Sequence, residues 1–105
     1  MKNYFKEMNN LKSNVQMIKE LDEHYVPDKP GMVIMKEIYL INEYLHLDSM
    51  KSSVDFQNMR DMVVMFYDIK ISSCNNEMDV LECMDKMSAI VSVIDNKKFN
   101  MGFSI

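Results

Sequence analysis

Apolar positions recur at steps of three and four along four stretches of this chain, and polar or helix-breaking residues separate the stretches. In the first, Tyr4, Met8, Leu11, Val15 and Ile18 form one stripe that Leu21 and Tyr25 continue, which predicts a helix from Asn3 to His24. Val26-Pro27 ends it, because proline pushes the preceding residue out of the α region, and Pro27, Pro30 and Gly31 make a rigid connection. The second stretch, Met32 to Leu47, is apolar on two sides: Ile34, Ile38, Ile41 and Leu45 on one, Val33, Leu40, Tyr44 and Leu47 on the other. A helix of that kind is either central in its bundle or offers its second face to a partner.

Ser52 or Ser53 with Asp55 reads as the N-cap of a third helix, whose apolar face carries Phe56, Met59, Met62, Val63, Phe66 and Ile69. The end of this segment is rich in β-branched and aromatic residues, so a strand near residues 63–72 is the alternative. Helix is preferred because Arg60, Asp61 and Asp68 fall opposite the apolar arc. Asn75 or Asn76, followed by Glu77 and Asp79, starts a fourth helix with inner face Val80, Cys83, Met84, Met87, Ile90, Val91 and Ile94. Phe99 to Ile105 alternates apolar and polar, which predicts a short extended tail, or a strand near 98–105 in the alternative. Helices of this length joined by short turns suit an all-α, four-helix up-down bundle, with residues 1–105 as a single helical domain. The competing arrangement is α+β.

Composition narrows what such a bundle does. Thirteen methionines in 105 residues make the apolar interior soft, since the thioether side chain fills irregular gaps and specifies one packing weakly. The net charge of -4 is spread along the chain and Arg60 is the sole arginine, so the clustered cations that a phosphate backbone requires are missing and duplex nucleic acid is not expected as a partner. The longest apolar run, Met62 to Tyr67, is far too short to cross a bilayer, and the first residues lack the apolar stretch of a signal peptide. Cys74 and Cys83 form no CxxC pair or disulfide framework. A cytoplasmic location is expected.

The motifs that carry chemistry are weak. Glu43-Tyr44-Leu45-His46 has the Glu-x-x-His spacing of di-iron carboxylate bundles, but that site needs a second such motif and His24 does not supply one. The methionine ladders Met32/Met35, Met59/Met62/Met65 and Met84/Met87, with Cys83 alongside, have the softness that Cu(I) prefers, although they coincide with the core stripes. Nothing pairs a Ser or Cys nucleophile with a histidine, and Gly31 and Gly102 make no phosphate loop. Neither a cofactor nor a metal is therefore expected, and no residue is assigned a catalytic role.

What remains is protein binding. Val33, Leu40, Tyr44 and Leu47, joined by Tyr67 of the third helix, are the expected partner-binding residues, with the tyrosines as amphipathic anchors. The abundance of Lys, Asn, Ile and Met is the bias of an AT-rich coding sequence. With the small size and missing catalysis, it suggests a non-enzymatic inhibitor or adaptor from a phage, virus or mobile element that acts on a host protein complex. A homodimeric structural or regulatory protein and a Cu(I) binder are the alternatives.

Overall fold

The computed structural model describes residues 3–26 and 32–102, with side chains from Asn14 onward in the first stretch. Among these residues the chain forms α1 (Asn3–His24), α2 (Met35–Leu45), α3 (Ser53–Ser72) and α4 (Glu77–Asn100), with one turn of 3-10 helix, Leu47–Ser49, between α2 and α3 and no strand. The all-α bundle that the periodicity predicts is the architecture observed. No described helix is long and apolar enough to cross a membrane.

α3 and α4 form the framework. Each begins at a side-chain cap: Ser52 Oγ accepts from the Asp55 N–H at 3.2 Å, and Asn76 Oδ1 accepts from the Asp79 N–H at 2.9 Å. These caps satisfy donors that the first turn of a helix leaves unpaired. Arg60 meets Asp95 at 3.3 Å near one end of the pair, while Lys70 and Lys86 converge on Asp22 near the other, as an antiparallel hairpin requires. α1 rests mainly on α2 and touches α3 sparsely, and α2 lies against α4. An ion pair between Lys97 and Asp48 ties the end of α4 to the 3-10 turn.

Four expectations need correction. First, α2 is shorter than Met32 to Leu47. The Glu37 carboxylate accepts from the Ile34 N–H at 3.1 Å and fixes the start, and His46, in the left-handed region with φ 53°, fixes the end. Second, the helix preferred over residues 63–72 is observed, but the residues buried on one side of α3 are Phe56, Met59, Val63 and Tyr67. That arc displaces the expected one: Ile69 lies opposite Tyr67 and is exposed.

Third, the predicted inner face of α4 is rotated. Ala89, Ile90, Val93 and Ile94 are buried, Val80, Cys83, Met87 and Val91 are half-buried, and Met84 is exposed. Fourth, the tail does not begin at Phe99. α4 runs through Asn100, helped by Lys97 and Lys98 at its negative end. Gly102, with φ 88°, ends the helix by donating to Phe99 O at 3.0 Å. Phe103 to Ile105, the rest of the expected tail, lies outside the described residues, as do Pro27, Pro30 and Gly31.

Candidate functional site: a methionine groove and a buried aspartate

Of the five expected partner-binding residues, the structure seals two completely. Leu47 and Tyr67 are 0% exposed. Leu47 falls in the 3-10 turn and plugs the core beneath α2, and Tyr67 occupies the centre of the α3 arc, so neither presents a surface. Val33 and Tyr44 are half-buried against the core, and Leu40 is half-buried beside Tyr25 and Ile34. The second stripe of α2 is therefore mostly internal. Its solvent side carries Met35 and Tyr39 instead, 78% and 72% exposed.

A different set of residues makes a concave surface. Met59, Met62 and Met65 step by three along α3, and each step falls roughly 60° short of a full helical turn. The ladder consequently winds out of the core: Met59 is 3% exposed, Met62 is half-buried and Met65 is 59% exposed. These three form one wall of a groove of about 800 Å³. Asn14 and Met17 of α1 line it opposite, and Leu45, His46, Ser49 and Met50 from the α2–α3 connection line its end. The groove exists because α1 leans on α2 rather than on α3, while the left-handed turn at His46 and the short 3-10 turn carry the chain around its closed end. Asp55, Asn58 and Asp61 of α3 supply polar groups along it.

The second site is polar. Asp22 is buried where the α1 stripe would demand an apolar residue, between Ile18 and Tyr25. Lys70 forms an ion pair with its Oδ2. Lys86 Nζ lies 3.7 Å from its Oδ1 and also donates to the Asp22 backbone carbonyl at 2.8 Å. The hydrogen bond from Lys70 to Asp22 drives the lysine upward in pKa, against the opposing effect of burial. Burial first, and then the Asp22 charge, push the Tyr67 phenol above its ordinary value.

Cys74 and Cys83 line a smaller pocket of about 310 Å³ with Asp22, Lys70 and Lys86. Cys74 Sγ donates to the Lys70 carbonyl at 3.2 Å. Burial, followed by the contact with Cys74, raises the Cys83 thiol. The chemistry of this cluster is that of a clamp. Its carboxylate faces two ammonium groups, its phenol is held protonated and Cys83 is held as a thiol, which is the less nucleophilic form.

Glu43 and His46 of the Glu-x-x-His motif are both exposed and line a shallow pocket with Asp48 and Ser49. Among the described residues no group of three or more His, Cys, Asp or Glu side chains is placed to hold a metal ion. Met17, Met50 and the Asp22 clamp fall outside what the apolar periodicity predicts. Asp22 had a partial signal, an acid beside the apolar stripe with Ile18 and Val26 at i-4 and i+4, although Lys19 at i-3 also reads as an ordinary helix-surface counter-ion. Met17 and Met50 had none, since they lie off the stripes and enter the groove only through tertiary placement. Comparison with protein-family models, with curated proteins and with solved structures finds no match, so the groove and the clamp themselves carry any functional reading.

Proposed function

We propose that this chain is a non-enzymatic protein-binding module whose methionine groove receives an apolar helical segment of another protein, making it a small inhibitor or adaptor. One observation carries the reading: Met17, Met50, Met59, Met62 and Met65, from three separate parts of the chain, line a single groove. Methionine is well suited to such a surface because its unbranched thioether repacks around different apolar anchors. Each Leu or Phe buried there would contribute about 1.5–3 kcal/mol before the costs of association. The AT-rich residue bias fits a phage, virus or mobile element as the source, as it also fits a low-GC bacterium, and a host complex as the target follows only from the former.

A photo-crosslinking residue at Met65 tests this, with the same residue at Met78, which is 80% exposed on α4 and not among the groove residues, as the control. A discrete partner captured from Met65 and not from Met78 supports the groove. Equal labelling from both positions, or none from Met65, overturns it. Light scattering of the purified chain, run in parallel, separates a foreign partner from a homodimer.

A second reading has an observation of its own. The same five thioethers, with His46 at the end of the groove, are soft donors of the kind that Cu(I) prefers. Titration of the reduced protein against a competing Cu(I) chelator decides it, and failure to take up near-stoichiometric metal removes this reading.

A further inference from the structure

We infer that the segment selected by the methionine groove is a basic amphipathic helix, with Lys or Arg flanking its apolar anchors. This rests on the docking reading of the groove and adds the charge of the partner to it. The described lining contains two carboxylates, Asp55 and Asp61, and no lysine or arginine. Both acids are exposed, on α3 beside the methionine ladder. Each uses a different one of its two oxygens within the chain: Asp55 Oδ2 accepts from the Lys51 N–H at 3.0 Å, and Asp61 Oδ1 accepts from the Gln57 amide at 2.9 Å. A second oxygen on each is left for an incoming cation.

The nearest cation on α3 is already engaged. Arg60 pairs with Asp95 of α4 and lines an adjoining shallow pocket that shares Asp61 and Met65 with the groove and continues along Val64, Asp68 and Ile69. From Asp55 to Met65 the acidic and apolar groups extend over roughly 15 Å of α3, enough for about three turns of a docked helix. An apolar floor edged by acids complements a helix with apolar anchors at i, i+3 or i+4 and i+7 and cations beside them. An acidic helix with the same anchors would meet like charge along that edge. A lipid or nucleic-acid surface, being anionic, is disfavoured on the same ground.

The test uses the purified full chain and synthetic peptides of about 18 residues, three to a set, with identical apolar anchors and a polar face of Lys, Gln or Glu. One anchor is tryptophan. The chain has no Trp, so the fluorescence of the peptide reports binding without background. Expected are binding of the Lys peptide with a Kd on the order of micromolar and binding of the Glu peptide weaker by about tenfold or more. Asp61→Lys should remove that preference and Met65→Lys should weaken all binding. Both positions are exposed, so the fold is retained, and circular dichroism verifies it.

Equal affinity for all three peptides, still sensitive to Met65→Lys, overturns the charge inference and leaves the docking reading intact. Binding of no peptide, or binding insensitive to Met65→Lys, overturns both. Self-association abolished by Met65→Lys overturns the inference in favour of a second copy in the groove.

Discussion

Lys86 holds Asp22 at two points: its ammonium donates to the Asp22 backbone carbonyl at 2.8 Å and lies 3.7 Å from the carboxylate. One side chain from α4 thereby fixes both the charge and the local backbone of α1. Lys70 from α3 completes the contact, so three helices meet at a single buried acid. Asp22 draws α1 onto the end of the α3/α4 hairpin where those two helices are joined, and the methionine groove lies between α1 and the other half of α3.

Lys86→Met should destabilise the fold by about 1–3 kcal/mol, because it leaves Asp22 with one cation in place of two and removes a hydrogen bond from a buried carbonyl. Lys70→Met should do less. Its side chain is 41% exposed against 12% for Lys86, and solvent screens an exposed pair. Urea unfolding of the two variants ranks them, and an equal or reversed order would show that Lys86 is not the principal tether.

Stability should fall as the solution is made alkaline. Tyr67, Lys70 and Cys83 have folded-state pKa values raised above their ordinary 10.0, 10.5 and 9.0. The unfolded chain therefore loses protons at lower pH than the folded one, and the stability contributed by each group, complete below its ordinary value, is lost as pH rises through the folded value. Melting temperature followed from neutral pH upward should decline progressively beyond about pH 9, first through Cys83 and then through Tyr67 and Lys70. Tyr67→Phe should shallow the decline above pH 10.0. A flat profile across that range contradicts the assignment.

Leu47→Ala should cost about 2–5 kcal/mol, the range for an aliphatic side chain truncated in a core. Tyr39→Ala, on the solvent side of α2, should change stability by less than about 0.5 kcal/mol. The comparison tests which surface of this part of the chain is internal. If Leu47→Ala is neutral, Leu47 is not the core plug described above and its expected role at a partner surface is restored.

The two helix caps offer a local check. Asn76→Ala and Ser52→Ala should each destabilise by roughly 0.5–2 kcal/mol, since each removes the acceptor for an N–H in the first turn. Ser53→Ala, one position further on, should have a much smaller effect. Thermal unfolding of the three variants distinguishes Ser52 from Ser53 as the cap of α3, and equal losses would contradict the assignment to Ser52.

Periodicity and capping chemistry made the four helices legible from residue order alone. Both arise within a few residues: an apolar position every three or four places defines a side of α3, and Asn76 with Asp79 defines the start of α4, whatever surrounds them. The candidate site was not legible in the same way. An apolar stripe states that a face avoids water without stating what covers it, so Val33, Leu40, Tyr44 and Leu47 read equally well as an interior or a partner surface. Packing decided the matter by setting Leu47 and Tyr67 in the core, and by letting α1 lean away from α3 so that Met17 and Met50 face the Met59–Met65 ladder. Local preferences act over a few residues and are recorded in their order, whereas the coverage of a face depends on groups far apart in the chain and arises only when the helices pack.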